Sequence, residues 1–177
     1  MSGAVDHDRA DAARRGVVFR NRSFWAAVLL GVASMAAIDE IVFHQILGWH
    51  HFYDRSSSEI ALVSDGLLHA GELLAFAAGF FLMLDARRRG VFSRGIAWSG
   101  YLCGLGTFQL FDGVVAHKVL RVHQVRYGVE LLPYDLAWLL AACVLIAAGL
   151  LIAVYSVRRG RRARTLTRDQ NGGFSPS

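Results

Sequence analysis

Apolar residues run in four long stretches, near 24–47, 60–84, 96–120 and 134–157, separated by short polar or arginine-rich joints. Each stretch is close to the ~20 residues that a helix needs to cross a bilayer. The fourth is the cleanest, with no charged residue in 136–157. The first and third are clean only in their early parts, 24–38 and 95–111, and then turn polar. The pattern predicts an all-α fold, a four-transmembrane-helix bundle over residues 23–158. A basic segment, 1–22, precedes it, and a basic, then disordered tail, 159–177, follows.

Arginine placement orients the bundle. The clusters at 9–22, 87–94 and 158–168 each abut an apolar run. Basic residues mark cytoplasmic joints, so both termini and the middle joint are expected in the cytoplasm. The loops at 50–59 and 121–133 hold few basic residues and are expected outside. The chain is then expected to be a multi-pass membrane protein, with the lipid bilayer as its first partner. The formal charge of +5 is thereby a membrane-surface feature, and nucleic acid is not an expected partner.

Composition agrees. Of 177 residues, 54% are apolar and 19% charged, below the roughly 25% charge of soluble domains. Cys103 and Cys143 lie inside apolar runs, at different depths, and are read as small buried hydrophobes, not a disulfide. The first 22 residues hold no apolar core of a signal peptide. No P-loop, GxGxxG fingerprint or Ser-His-Asp nucleophile motif occurs.

Chemistry enters with a pattern that occurs twice. Asp39-x4-His44-x5-His50 recurs as Asp112-x4-His117-x5-His123, 73 residues later, near the polar end of the first and third stretches. Two similar helix pairs in parallel topology follow from this, a duplication that often leaves a two-fold axis along the membrane normal. At ~1.5 Å per residue, Asp39 and His44 lie ~22 and ~30 Å above the cytoplasmic start of the first helix, and Asp112 and His117 at similar heights on the third. On the second helix Asp65, His69 and Glu72 share one face and descend from the outer surface. All these groups occupy the outer third of the membrane. Ionisable residues at such depth are costly and mark functional sites by default.

The carboxylates Asp39, Glu40, Glu72 and Asp112 meet no Lys or Arg within the stretches before Lys118. Protons, charged histidines or a bound cation must compensate them. Imidazole and carboxylate together are a normal ligand set for Zn, Fe, Mn or Cu, and a carboxylate behind a histidine is the usual outer partner. The expected site has His44, His69 and His117 as ligands and Asp39, Asp65 and Asp112 as ligands or orienters. Glu40, His51 and His123 stand nearby. Glu72 is the candidate general base. One geometric question stays open at this stage. Five residues of α-helix separate Asp39 and His44 by ~140°. Either a π-turn aligns them or they face different neighbours.

Plainer readings stand beside these. His50, His51 and His123 can be solvated interface residues, with Trp49, Phe52 and Tyr53 as an aromatic belt. Asp65 and Asp135 can be helix N-caps. Gln45 and Gln109 can bond between helices, Lys118 and Arg121 can pair with Asp112 or Glu40, and Gly79, Gly100, Gly104 and Gly106 can serve close packing. A haem held by His44 and His117 is a weaker rival, since acids crowd the histidines. An ion pathway would need polar residues through the inner half, which three of the stretches lack.

At these residues the chain resembles an uncharacterised bacterial membrane-protein family, domain of unknown function 2243. The resemblance is carried by Ile41-Val42-Phe43-His44-Gln45-Ile46-Leu47-Gly48-Trp49-His50-His51, by Asp65-Gly66-Leu67-Leu68-His69, and by Phe111-Asp112-Gly113-Val114-Val115 with His117. His123-Gln124-Val125 and Tyr134-Asp135-Leu136-Ala137 extend it, over nearly the whole of 24–157. It implies a small four-span protein of the bacterial inner membrane and no particular activity. Glu40, where the family commonly has Gly, and Ala116, Lys118 and Gln124, where acid or His often stands, depart from its pattern. They leave the second copy with fewer ligands, so one asymmetric site is expected. Metal binding or handling is the expected function, with Cu, Zn or Fe as the cofactor. Copper delivery to a membrane oxidase or its assembly factors would be one use, and a homo-oligomer is allowed. A membrane metalloenzyme acting on a lipid-soluble or small substrate is the alternative.

Overall fold

In a computed structural model, residues 18–172 are described, with side chains from 18 to 160. The described chain is all helical and has no strand. Helix α1 (Arg22–Ile38) passes directly into a π-helix, π1 (Asp39–Ile46). Helix α2 (Ser58–Arg88) returns. Helix α3 (Arg94–Phe111) passes into a second π-helix, π2 (Asp112–Val119), and α4 (Leu131–Gly172) completes the bundle. The basic segment up to residue 17 and residues 173–177 lie outside the described part. Among the described residues, three helices are long and apolar enough to cross a membrane: Arg22–Ile46, Ser58–Arg88 and Leu131–Gly160. The α3–π2 stretch is equally continuous but richer in Gly and polar residues.

Helices α1 and α3 form the centre, with α2 packed on α1 and α4 on α3. Glycines set the α1–α3 distance. A Cβ at Gly31 would lie 2.1 Å from the Tyr101 carbonyl oxygen, and one at Gly104 would lie 2.2 Å from that of Val28. Small residues that let backbones approach are how helices associate where lipid removes the hydrophobic drive. Gly100 and Gly106 serve the same purpose against α1 and α4. Between α3 and α4, Gln109 donates Nε2–H to the Trp138 carbonyl at 2.9 Å, and Trp138 donates Nε1–H to the Gln109 carbonyl at 3.0 Å. Gln45, by contrast, bonds within its own helix, to Glu40 at 2.8 Å.

The polarity is that of a membrane protein. Leu62, Leu67, Leu74, Phe81, Leu140 and Leu151 point outward, while Asp39, Glu40, His44, Asp65, Glu72, Asp112 and His117 are buried. At the arginine-rich end, Asn21 caps α1 by accepting from Ser23 N–H at 2.8 Å. There Arg22 pairs with Asp85 at 2.8 Å, joining the start of α1 to the end of α2. Cys103 is buried, Cys143 exposed, and neither is bonded.

Two N-cap assignments are corrected. Asp65 lies well inside α2, and Asp135 well inside α4, which begins before Pro133. Asp65 turns inward to other partners, and Asp135 pairs with Lys118 at 2.5 Å. Lys118 therefore neutralises Asp135, not Asp112 or Glu40, and Arg121 donates to the Lys118 carbonyl at 3.4 Å.

Candidate metal centre

The two π-helices settle the five-residue spacing. In π geometry residue i+5 stacks over residue i, so Asp39 and His44 face the same way, as do Asp112 and His117. His44 Nε2 lies 3.4 Å from Asp39 Oδ2, and His117 Nε2 lies 3.0 Å from Asp112 Oδ2. Each π-helix ends in the same way. Leu47 N–H donates to Val42 and Trp49 N–H to Phe43. Correspondingly, Leu120 donates to Val115 and Val122 to Ala116. Gly48 and Arg121 take the left-handed conformation at the two ends, with φ 57° and 51°. Glycine adopts it freely; an arginine there carries strain.

These ends turn the chain back so that His50 and His123 enter the bundle. Both are buried, at 4% and 1% exposure, which overturns their reading as solvated interface residues. His50 donates Nδ1–H to the Val125 carbonyl at 2.9 Å, and His123 donates Nδ1–H to the Phe52 carbonyl at 2.9 Å. The acceptors are themselves 73 residues apart. Anchoring Nδ1 on a carbonyl fixes the tautomer and leaves Nε2 as a free electron pair pointing inward. His50 Nε2 lies 3.8 Å from Asp39 Oδ1, and His123 Nε2 lies 3.2 Å from Asp112 Oδ1.

The result is a buried cluster of four imidazoles and two carboxylates. Ring centroids follow one another from His44 to His50 at 4.5 Å, His50 to His123 at 4.7 Å, and His123 to His117 at 4.7 Å. The Nε2 atoms of His44, His50, His117 and His123, with Asp39 Oδ1 and Asp112 Oδ2, are all buried and without a hydrogen-bond partner. Buried polar atoms are almost always paired, so six unpaired ones facing one another mark a place for a bridging water, a shared proton or an ion. The spacing within each His–Asp pair is also compatible with an ion between them. Ligand atoms about 2.0–2.1 Å from a shared tetrahedral metal lie roughly 3.3 Å apart, and the four His–Asp separations fall between 3.0 and 3.8 Å. Two ligand groups, Asp39–His44–His50 and His50–His117–His123, each bring their atoms within 4.8 Å of one another. Burial, reinforced by the neighbouring His44 and His123, pushes the His50 ring down to about 3, so it remains the neutral imidazole that binds metals. Burial also opposes charge on His123, but Asp112 beside it outweighs this and raises its pKa.

Outside the cluster the two halves differ. His44 Nδ1 lies 2.8 Å from Glu40 Oε2 and 3.1 Å from Asp65 Oδ1. Asp65 also accepts from Phe52 N–H at 2.7 Å and meets the His51 ring at 2.5 Å. On the other half, His117 Nδ1 has no partner. There Gly113 and Trp138 stand 73 residues after Glu40 and Asp65. A Cβ at Gly113 would lie 2.6 Å from Trp138 Cδ1, so the indole occupies the room that the two acids take on the first half.

The chain belongs to the DUF2243 family of predicted membrane proteins. That family's model matches residues 26–156, which holds both π-helices and every residue of the cluster. No curated protein and no solved structure matches the chain.

Of the residues singled out in this family member's sequence, Asp39, His44, Asp112, His117 and His123 meet in the cluster. Glu40 and Asp65 flank it at His44. His51 sits at its edge, 40% exposed, on Asp65. His69 stands apart: it is 45% exposed, 2.6 Å from Glu72, and belongs to none of the ligand groups found among the described residues. His50 was the residue that sequence reasoning undervalued. Its signal was present in the repeat, where it occupies the place of His123.

Proposed function

We propose that this protein is a four-span integral membrane protein that binds a transition-metal ion in the His44–His50–His117–His123 cluster, just beneath its extracytoplasmic face. The observation that carries the reading is the convergence of four unpaired imidazole nitrogens and two unpaired carboxylate oxygens in a buried volume. Nitrogen-rich sites of this kind suit Zn, Cu or Fe. A histidine whose far nitrogen is tied to a backbone carbonyl, as those of His50 and His123 are, is a usual form of such a ligand.

The placement follows from charge. The cluster sits at the end of the bundle away from Arg22, Asp85 and Arg89, and arginine-rich ends are cytoplasmic. Both termini are then inside. The contacts that recur 73 residues apart support two copies of one helix pair related by an approximate two-fold axis. The contiguous chain of four rings leaves no slot for a porphyrin between His44 and His117, which favours a bare ion over haem. Handling of the metal, including its delivery to a membrane oxidase, fits a shell filled largely by protein ligands.

Elemental analysis of tag-free protein, purified in detergent after growth with mixed Cu, Zn, Fe and Mn, tests this. One metal should co-purify, and it should be lost from His44→Ala and His117→Ala. Protein that elutes folded, binds no added Zn(II), Cu(II) or Fe(II), and shows no haem absorbance would refute the reading.

A further inference from the structure

His44 presents both ring nitrogens to ligand-like oxygens. Its Nε2 faces the cluster, while its Nδ1 lies 2.8 Å from Glu40 Oε2 and 3.1 Å from Asp65 Oδ1. A neutral imidazole has one proton, and the Nδ1 position cannot satisfy two carboxylate oxygens with it. All three side chains are at most 5% exposed, and their ligand atoms lie within 4.8 Å of one another. Glu72, also buried, leaves its Oε2 without a partner. No Lys or Arg pairs with Glu40, Asp65 or Glu72 among the described residues, so the negative charge here has no fixed counter-charge. The remaining bonds hold the carboxylates in place: Gln45 on Glu40 Oε1, Phe52 N–H on Asp65 Oδ1, and the His51 ring on Asp65 Oδ2.

We propose that Glu40, Asp65 and the Nδ1 side of His44 form a second divalent-cation position, joined to the central one through the His44 ring. The proposal rests on the central metal reading. Binding forms a bond between the cation and Nδ1, breaks the Nδ1–H bond and releases that proton to solvent. His44 then bridges the two ions as imidazolate, the dianionic carboxylate pair balancing the second ion. With two oxygens and one nitrogen, this position suits harder ions than the central cluster, Mn(II) or Fe(II) over Cu. The second half of the protein has no such position, because Gly113 and Trp138 replace the two acids.

The test is stoichiometry. Tag-free protein in detergent is stripped with a chelator, reloaded with Zn(II) or with Mn(II), desalted and assayed for metal per chain. Wild type should hold one Zn(II) more than Glu40→Gln/Asp65→Asn, and Glu40→Gln alone, which leaves His44 a partner at Asp65, should show the same loss. Mn(II) should load wild type and be absent from both variants. Size-exclusion elution and thermal melting of the metal-free proteins check folding. If the double variant misfolds, the single variant and the Mn(II) loading of wild type still decide. Equal Zn(II) content in wild type and Glu40→Gln, or loss of every equivalent from a folded Glu40→Gln, would overturn the second position and leave the central one standing. Zn(II) binding by no form of the protein would remove both.

Discussion

His50 and His123 lie face to face, their ring planes 9° apart and their centroids 4.7 Å apart. Each hangs from a backbone carbonyl in the other half of the chain, His50 from Val125 and His123 from Phe52. The stack therefore locks the two halves together and fixes where the inward nitrogens point. Side chains held in fixed rotamers need supporting contacts, and here the backbone itself supplies them. The π-helices do the rest, since only their i+5 register places Asp39 beneath His44 and Asp112 beneath His117.

His50→Ala and His123→Ala should each lower affinity for the central metal by more than the roughly 10–100-fold that an outer partner is worth. His51→Ala, whose ring is 40% exposed and touches Asp65, should leave central affinity within that range. Competition against a chromophoric chelator measures all three. Equal losses at His50 and His51 would make the inward ring no more than an interface residue.

His69 separates the structural reading from the sequence reading. Spacing alone puts His69 on the same face of α2 as Asp65, one turn deeper, and so toward His44. In the folded chain its ring is 45% exposed beside Glu72. His69→Ala should keep the full metal content of wild type, whereas His44→Ala should lose it. Elemental analysis of the two folded variants decides.

The close crossing of α1 on α3 is the main structural demand of the bundle. Gly104→Leu introduces atoms where even a Cβ would come 2.2 Å from the Val28 carbonyl oxygen. Overpacking of this kind typically costs about 1–3 kcal/mol, and rigid backbone on the far side puts this site at the upper end. Gly66→Leu on α2, with nothing within 4 Å of its Cβ position, should be neutral. Thermal unfolding of the two detergent-solubilised variants should differ accordingly.

Much of this is legible in the sequence. Long apolar runs gave the helices, because in lipid every backbone group must be satisfied within its own segment. The repeated Asp-His-His spacing draws attention to Asp39, His44, Asp112 and His117, since acids at membrane depth need an explanation. The misses have physical causes. Hydropathy sees His50 and His123 as polar residues beyond a helix end, and only the left-handed turns at Gly48 and Arg121 carry them back inside. Glycine hints at such a turn; Arg121 does not. The angle between Asp39 and His44 depends on π geometry, which no local propensity announces. The N-cap readings of Asp65 and Asp135 fail because their helices already begin at Ser58 and Leu131, before these acids.

The asymmetry between the halves makes the last prediction. Gly113 has no side chain because Trp138 fills the adjoining space, 2.6 Å from where a Cβ would be. The indole cannot easily retreat. Its Nε1–H is bonded to the Gln109 carbonyl, its own carbonyl takes Gln109 Nε2–H, and its ring packs 6.1 Å from His117. Gly113→Ala should therefore displace Trp138 toward His117, lowering both melting temperature and central metal affinity. Trp138→Phe gives up one hydrogen bond, worth about 1 kcal/mol, but makes room. In the double variant the penalty of Gly113→Ala should shrink, a non-additivity expected only of groups in contact. Strict additivity of the two changes, in melting and in metal affinity alike, would mean that the indole and the Gly113 backbone do not compete for the same space.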